Sequence, residues 1–231
     1  MTWAEEFSQD YDVWTAEVTH DIDFYVGLAR EADGPVVELA IGSGRVAVPM
    51  ALATGAAVIG IDSSPTMLDN ARRRADAAGV ELILHLGDMA DLRLADPAAL
   101  IVCPFRALLH VPTWSARRHL FERVAASLRP GGRFAWNAFA FDHHVAARID
   151  GVRVVERGFA HTDHFAVGDN RVDIVLDSGA TSSLWWATKN EWLGLIDVAG
   201  LELEALYGGL DRTPYDERSG EYVFVTRRPE G

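Results

Sequence analysis

The fold of this chain is decided by the stretch Val36-Val37-Glu38-Leu39-Ala40-Ile41-Gly42-Ser43-Gly44-Arg45. An apolar run ends here in two glycines that are separated by a single residue, and an amphipathic segment follows at once. This order predicts a buried β-strand, a tight turn and the first turn of a helix. Because glycine has no side chain, the turn lets the backbone approach a ligand closely, and the N–H groups at the helix start point at that ligand. The stretch therefore predicts a site for a nucleotide-like cofactor.

The glycine turn alone leaves the identity of the cofactor open. Residues 42–47 match the dinucleotide fingerprint, with alanine in the third small position. Acidic residues at strand ends narrow the choice. Glu38 lies inside the first apolar run, where a carboxylate is costly to bury without a partner, and Asp62 and Asp88 follow the next two apolar runs. Carboxylates in these positions suit a ligand rich in hydroxyl, amine and amide-like donors, and Asp62 in particular suits the hydroxyls of a ribose.

Several motifs follow one another along the chain in a fixed order. They are Glu38-Leu39-Ala40-Ile41-Gly42-Ser43-Gly44, Ile61-Asp62, Gly87-Asp88-Met89 and Leu128-Arg129-Pro130-Gly131-Gly132. Their order resembles that of the class I S-adenosylmethionine-dependent methyltransferases, and residues 11–12, 23–25, 207–215 and 221–225 are similar to the small-molecule methyltransferase subgroup. The resemblance covers nearly the whole chain. It implies S-adenosylmethionine as the cofactor and methyl transfer as the activity.

Strand and helix patterns alternate along the chain, which is typical of an α/β protein with a parallel sheet between layers of helices. The resemblance adds that this Rossmann-like sheet has seven strands, is mostly parallel and has an antiparallel last strand. We expect a single methyltransferase domain over residues 1–231, with an N-terminal helical cap at 1–32 and the Rossmann-like core at 33–150 and 188–231. Residues 151–187 alternate like three short antiparallel strands, expected at 152–159, 171–176 and 182–187, and we interpret them as a small inserted sheet over the active site.

Local signals predict several element boundaries. Ser64-Pro65 predicts a helix start with serine at the cap, and Gly79 predicts the end of that helix. Pro130-Gly131-Gly132 is expected to close a helix over residues 113–128, before a strand at 133–139. Further elements are expected as strands at 99–105, 201–207 and 222–227 and a last helix at 190–200.

The composition limits the partners that the protein can have. The formal net charge is −13, which argues against nucleic acid and anionic membranes, because binding to phosphate is driven by Lys and Arg. No stretch approaches the ~18 apolar residues that a membrane span needs, and the acidic start does not resemble a secretory signal. A single cysteine cannot form an internal disulfide, which fits a cytoplasmic location. We expect a monomer or a homodimer that acts on a small-molecule acceptor.

The resemblance implies a cofactor role for each motif position. Glu38 would hold the amides of the glycine turn or the ammonium of the cofactor, Asp62 the ribose hydroxyls, and Asp88 the adenine amino group. Met67 would cover one face of the adenine, although a core position in its helix is an equal alternative. The cofactor-binding residues implied in this way are Tyr11, Tyr25, Glu38, Ala40, Gly42, Gly44, Arg45, Asp62, Ser63, Met67, Asp88, Met89, Cys103 and Phe105.

The acceptor side is the least defined part of the expected site. Transfer from a sulfonium is a direct displacement, so alignment can supply most of the catalysis, and a base is needed only where the acceptor must lose a proton. His110 is the predicted base, because it follows the fourth strand by about one helical turn. The residues expected to bind the acceptor are Tyr11, Arg106, His110, His143, His144 and Trp186. Tyr11, Tyr25, Phe105 and Trp186 have packing roles as alternatives, and we expect no metal.

The sequence leaves three functions to compare. The leading interpretation is methyl transfer from S-adenosylmethionine to an oxygen or nitrogen atom of a small molecule. An NAD(P)-dependent oxidoreductase on a similar sheet is disfavoured by Glu38 and by the strand end Gly87-Asp88-Met89. A partner or regulatory protein that binds S-adenosylmethionine without transferring its methyl group is disfavoured by the intact cofactor motifs.

Overall fold

A seven-stranded sheet lies at the centre of the molecule. The computed structural model describes residues 18–156 and 159–230, so the expectations for Tyr11 and for the rest of residues 1–17 lie outside the described residues. The strands of the described chain are β1 (Val36–Leu39), β2 (Val58–Asp62), β3 (Leu82–Leu86), β4 (Ala98–Cys103), β5 (Leu128–Phe139), β6 (Arg153–Glu156), β7 (Phe159–Ala166), β8 (Arg171–Leu176), β9 (Thr181–Trp185), β10 (Glu202–Tyr207) and β11 (Glu221–Arg227).

Helices pack around this sheet. They are α1 (Ile22–Glu31), α2 (Ala47–Thr54), α3 (Pro65–Ala78), α4 (Trp114–Ser127), α5 (His143–Ile149) and α6 (Lys189–Val198). Short 3-10 turns lie at Met89–Asp91, Ala107–His110 and Val167–Asp169. Across residues 18–156 and 159–230, no helix has both the length and the apolar character that crossing a membrane requires.

The strand order of the large sheet is β10-β11-β5-β4-β1-β2-β3. β1 pairs in parallel with both β2 and β4, and β4 with β5, whereas β11 runs antiparallel to β5 and β10. The predicted Rossmann-like sheet with an antiparallel last strand is therefore confirmed. Between β1 and β4 the order of strands reverses, and open α/β sheets bind ligands outside the carboxyl ends of their strands at such a point. The glycine turn follows β1 and so lies at this position.

Two buried clusters cover the two faces of the sheet. One joins Tyr25 of α1 and Met50 of α2 to Val102 of β4. The other combines aliphatic and aromatic side chains: Trp136 of β5 stacks on Phe224 of β11 with ring centres 4.8 Å apart, and both side chains are fully buried. Close-packed interiors of this kind resist deformation. The sheet therefore gives the side chains at its carboxyl edge a rigid support.

The predicted helix signals at 64–79 are confirmed in α3. The Ser64 side chain accepts a hydrogen bond from the N–H of Met67 at 3.3 Å, and Pro65 is the first helical residue. Gly79 ends the helix with a φ of 68°, the left-handed conformation that glycine adopts most easily. The start of α3 is thereby fixed directly after Asp62 at the end of β2.

Strand β5 begins earlier than the sequence predicts. The segment Pro130-Gly131-Gly132 does not lie between a helix and a strand but inside β5, which starts at Leu128. The pairing of β4 with β5 shifts register there, and a Cβ on Gly132 would lie 2.8 Å from the carbonyl oxygen of Ala98. Glycine is required because the strand makes an irregular close approach, and the expectation of a helix-closing turn with a strand from 133 was wrong.

The inserted sheet has four strands where the sequence predicts three. Its order is β6-β7-β8-β9, and all neighbours are antiparallel. The strand expected over 152–159 combines β6 with the start of β7, which pair from Arg153 with Thr162 to Glu156 with Phe159. In the sequence, the polar pair Glu156-Arg157 and Gly158 follow Val155, and Gly158 is the turn signal that the expectation of one continuous strand passed over. The inserted antiparallel sheet is confirmed, and its strand count is corrected.

Candidate active site

The glycine turn after β1 has an unusual backbone conformation. Ala40, Gly42 and Gly44 have positive φ angles of 51°, 56° and 77°. A left-handed alanine is uncommon and persists only where its surroundings determine it, which happens most often at functional sites. The N–H of Gly42 donates to Oδ2 of Asp62 at 2.8 Å. The end of β2 therefore holds the turn in this shape.

Asp62 joins the glycine turn to the start of α3. Its Oδ1 accepts from the N–H of Ser64 at 2.9 Å. Burial raises the pKa of the Asp62 carboxyl, and backbone donors from Ser64, Gly42 and Ser63 oppose the rise. A carboxylate has about four acceptor positions, so a ribose hydroxyl can be bound in addition. The structure brings Asp62 and Ser63 to the glycine turn, and their contact with a ribose stays a prediction.

Glu38 is a buried carboxyl beneath the same turn, with 3% of its surface exposed. Burial raises its pKa well above the usual range, and Arg45 opposes the rise. The N–H of Ala47 at the start of α2 bonds to this carboxyl, whereas no donor in the described part of the chain reaches Oε2. A buried carboxylate oxygen without a partner is costly, and a cation placed beside it removes that cost. The site therefore fits the ammonium of the expected cofactor.

Arg45 follows the turn and binds protein groups. Its guanidinium donates to both carboxylate oxygens of Asp21, each at 2.6 Å, and lies 4.9 Å from the centre of the Phe105 ring. These contacts join the segment before α1, the glycine turn and the end of β4. A direct contact between Arg45 and the cofactor stays a prediction.

The residues expected around the adenine lie at the ends of β2 and β3. These two strand ends are neighbours, because the N–H of Gly87 donates to the carbonyl of Asp62 at 2.9 Å. Asp88 is exposed and accepts from the N–H of Ala90 at 2.8 Å, so it caps the short turn that contains Met89. Met67 is buried in the first turn of α3. The geometry shows the capping role of Asp88, and the adenine contacts stay predictions.

The end of β4 carries two consecutive residues in left-handed conformation. Phe105 and Arg106 have φ angles of 56° and 61°. Such strain costs free energy and clusters at functional sites. Cys103 just before them is fully buried, and burial raises its pKa far above the usual range. Its thiol therefore stays protonated near neutral pH and cannot act as a nucleophile.

Sequence reasoning missed a cluster that holds this end of β4, which we call the polar clamp: Tyr25, Arg106, Asn137 and Glu221. Oδ1 of Asn137 accepts from the hydroxyl of Tyr25 at 3.0 Å and from the N–H of Arg106 at 3.3 Å. Nδ2 of Asn137 donates to Glu221 at 2.7 Å. Glu221 accepts from Nε and Nη2 of Arg106 at 3.1 and 2.5 Å, which closes the ring of hydrogen bonds.

The polar clamp fixes the strained turn through both the backbone and the side chain of Arg106. It also changes the interpretation of Tyr25, which is fully buried and whose pKa is raised mainly by burial. Its hydroxyl serves Asn137, and a contact with the cofactor stays a prediction. One signal in the sequence points to the clamp, because Asn137 interrupts the apolar run of β5 and buried amides need partners. No local signal points to Glu221, which lies 115 residues from Arg106.

His110 connects the turn after β4 to the inserted sheet. Its ring N–H donates to the backbone carbonyl of Ser183 in β9, and desolvation lowers its pKa despite this bond. The residue still reaches the protein surface. The imidazole is therefore neutral near pH 7, which is the form that a general base requires. The structure places His110 beside the insertion, and its role as a base stays a prediction.

The remaining predicted acceptor residues lie at and beside the insertion. His143 and His144 begin α5, are exposed and have ring centres 3.9 Å apart. Trp186 is 3% exposed and stacks in parallel on Phe141 at 4.0 Å, which is the packing alternative. In residues 18–156 and 159–230, no group of three or more His, Cys, Asp or Glu side chains is arranged to hold a metal ion.

Known proteins of similar sequence agree with this geometry. A family model described as a methyltransferase domain matches residues 36–132, which contain the glycine turn, Asp62, Asp88 and the end of β4. The 27-O-demethylrifamycin SV methyltransferase of Amycolatopsis mediterranei (strain S699) is 31% identical over 220 residues, which is 87% of this chain and 79% of that protein.

Solved structures share the fold over almost the whole chain. The CcbJ methyltransferase from Streptomyces caelestis has a TM-score of 0.83 at 24% identity and covers 99% of this chain and 98% of its own. The structure of CalS10 with S-adenosylmethionine bound, an amino pentose methyltransferase from Micromonospora echinaspora, has a TM-score of 0.65 at 21% identity, with 99% and 92% covered.

Proposed function

The chain belongs to the class I S-adenosylmethionine-dependent methyltransferases, and from this premise we propose that it methylates an oxygen or nitrogen atom of a small molecule. The observation that carries the proposal is the similarity to the 27-O-demethylrifamycin SV methyltransferase, which spans most of both chains. A protein of the same fold is named an amino pentose methyltransferase. Family membership sets aside the oxidoreductase and the inactive cofactor-binding protein as alternatives.

The cofactor residues divide by the part of S-adenosylmethionine that each one suits. Bound in this site, the cofactor supplies a methyl group on a sulfonium, an electrophile that needs little activation. Glu38, whose Oε2 receives no hydrogen bond from the described residues, suits the ammonium, and Asp62 beside the glycine turn suits the ribose. Asp88 keeps an exposed position for the adenine amino group. The further proposed contacts are Tyr11, Tyr25, Ala40, Gly42, Gly44, the backbone of Arg45, Ser63, Met67, Met89, Cys103 and Phe105.

The acceptor side of the site is formed, in this proposal, by the outer face of the polar clamp and the inserted sheet. The side chain of Arg106 is 48% exposed, and its bonds to Glu221 use Nε and Nη2. Nη1 can then donate to an oxygen of the acceptor, with the guanidinium oriented by Glu221. His110 lies one short turn after Arg106 and takes the proton that a hydroxyl or ammonium must lose. His143, His144, Trp186 and Tyr11 are the further proposed acceptor contacts.

The proposed acceptor class is tested with S-adenosylmethionine that carries an isotopic label on its methyl group. We expect label to appear in hydroxylated or aminated small molecules, such as 27-O-demethylrifamycin SV and amino pentoses, with stoichiometric S-adenosylhomocysteine. Asp62→Ala should weaken cofactor binding, because two ribose hydroxyls lose a charged acceptor, by roughly 1.5–3 kcal/mol in calorimetry. Label that enters only RNA or protein would contradict the proposal.

The role of His110 is tested separately once an acceptor is in hand. His110→Ala should lower turnover by roughly 10²–10⁴-fold while cofactor affinity stays nearly unchanged. Because desolvation lowers the pKa of His110, the parent enzyme should lose activity only as the pH falls through a value below 6.5. If the variant keeps the turnover and the pH profile of the parent, His110 has a structural role and is not the base.

A further inference from the structure

Arg45 is held in a buried ion pair beside the glycine turn. Nη1 and Nη2 donate to Oδ1 and Oδ2 of Asp21, each at 2.6 Å, and Nη1 also donates to the carbonyl of Val18 at 2.8 Å. The side chains of Arg45 and Asp21 are 10% and 2% exposed. A two-pronged pair of this kind fixes the position of the guanidinium as well as neutralising it.

The same guanidinium is an electrostatic neighbour of Glu38. Burial raises the pKa of Glu38, Arg45 opposes the rise, and the negative charges of Asp21 and Asp62 add to it. Arg45 nevertheless gives its two-pronged bond to Asp21, and among the described residues Oε2 of Glu38 receives no hydrogen bond. Two buried carboxyl groups thus compete for one guanidinium, and Asp21 holds it.

We propose that Asp21 is a positioning residue for cofactor binding: by holding Arg45, it keeps Oε2 of Glu38 open for the ammonium of S-adenosylmethionine. An Arg45 released from Asp21 would turn to Glu38, because an unpaired charge in a buried site of low dielectric is costly and a neighbouring cation relieves that cost. The ammonium would then have to displace the protein's own cation. The inference rests on the ammonium role of Glu38 within the proposed function.

Arg45, for which the two carboxyl groups compete, lies next to the glycine turn, whose shape cofactor binding requires. Arg45 directly follows Gly44, whose φ of 77° belongs to the glycine turn. A guanidinium that moved from Asp21 to Glu38 would carry its backbone with it and disturb the N–H groups of the turn. Both effects of losing Asp21 act in the same direction, toward weaker cofactor binding. Because both require the guanidinium, removing Arg45 as well should relieve them.

Calorimetric titration with S-adenosylmethionine near neutral pH tests the proposal without an acceptor. The proteins compared are the parent, Glu38→Gln, Asp21→Asn, Arg45→Gln and the double variant Asp21→Asn with Arg45→Gln. We expect Glu38→Gln and Asp21→Asn each to raise Kd by about tenfold. The double variant should recover most of the loss of Asp21→Asn, because no cation is left to occupy Glu38. Glu31→Gln, which breaks the distant pair of Glu31 with Arg133, is the matched control and should leave Kd unchanged.

The outcomes separate the proposal from its premise. Parent-like binding by Asp21→Asn, or a double variant that binds no better than Asp21→Asn, overturns the proposal and leaves the pair a support of the fold. Parent-like binding by Glu38→Gln overturns the ammonium role of Glu38 instead. If Asp21→Asn does not fold, Arg45→Gln decides: a loss smaller than that of Glu38→Gln supports the proposal, and an equal or larger loss overturns it.

Discussion

At the scale of single residues, the burial of Glu38 should make the free energy of unfolding depend on pH. Because its pKa is raised well above 4.5, the folded cofactor-free protein binds more protons than the unfolded chain between pH 4.5 and the raised pKa. The free energy of unfolding should therefore fall as the pH rises through that window. Glu38→Gln cannot ionise and should remove this fall, which is at most ~1.4 kcal/mol per pH unit. Denaturant unfolding at a series of pH values measures both proteins.

Glu31 provides a control, because its contribution to the free energy of unfolding should change with pH in the opposite direction. The hydrogen bond from Arg133 lowers the pKa of Glu31 below 4.5, so its contribution to stability is present above that value and is lost as the pH falls through the lowered pKa. Glu31→Gln should remove that acid-side loss and leave the neutral window unchanged. Equal pH slopes for the parent and Glu38→Gln above pH 4.5 would contradict the prediction for Glu38.

Single residues could be predicted where local order fixes their place. Glu38 and Asp62 end or nearly end parallel strands, and such ends meet at one edge of a sheet, so spacing alone brings them to the glycine turn. The partners in the polar clamp have no such relation. Asn137 and Glu221 are 84 residues apart and come from strands that run in opposite directions. Only the folded sheet brings them together beside Arg106.

At the scale of elements, the two edges of the inserted sheet differ in the contacts that hold them to the rest of the molecule. On β9, the carbonyl of Ser183 accepts from His110 and that of Trp185 from the buried Arg117, whose pKa desolvation lowers to about 10. Arg117 is still charged at neutral pH, so its bond to Trp185 is charge-assisted. At the opposite edge, β7 is the one strand of the described chain that pairs with β6, and Val155 is 63% exposed. The sheet therefore has one anchored side and one open side.

Hydrogen exchange in the cofactor-free protein should show that protection of the backbone amides decreases from β9 to β6. We expect β6 to exchange fast, β9 to exchange slowly and the central strands β1 and β4 to exchange most slowly, because opening free energies follow buried contacts. Arg117→Met should speed exchange in β9 and leave β1 unchanged. Cofactor together with acceptor should slow the whole insertion, since it covers the acceptor in the proposed function. Uniform strong protection across β6–β9 in the free protein would contradict an insertion that opens.

The elements differ in how far their sequence determines them. The helix α3 was predictable to its ends, because Ser64, Pro65 and Gly79 act through their own backbone and side-chain chemistry. The start of β5 was not, since Gly131 and Gly132 can end a helix or allow an irregular strand, and the choice depends on the close approach of Ala98. The hairpin between β6 and β7 was missed because a single glycine, Gly158, is a weak turn signal.

At the scale of the whole molecule, the order of motifs predicts the sheet, and the sheet predicts the place of the cofactor. Strand–turn–helix units with acidic strand ends leave few ways to arrange a parallel sheet, and the reversal of strand order between β1 and β4 defines one crevice. The acceptor pocket follows no such rule. It depends on how the insertion and the turn after β4 meet, through contacts such as that of His110 with Ser183.

The charge of the molecule leads to a prediction about its acceptor. The chain has 34 Asp and Glu against 21 Lys and Arg, and several arginines, among them Arg106, Arg153 and Arg227, are paired with carboxylates. A protein that contacts six to ten phosphates releases counterions and binds with a steep salt dependence. We expect no binding of fluorescently labelled RNA at about 50 mM salt in anisotropy titrations, with or without S-adenosylmethionine.

A matched titration makes this prediction decisive. The same RNA is offered to a known basic RNA-binding domain, which should bind at low salt and release the RNA as the salt concentration rises. The contrary result would be RNA binding by the present protein with a salt dependence that corresponds to several released counterions. Phosphate groups would then approach a protein whose net charge of −13 repels them, and the electrostatic argument for a small-molecule acceptor would fail. The same field attracts cationic acceptors and repels anionic ones, so the association rate of cationic acceptors should fall, and that of anionic ones rise, as salt screens the surface.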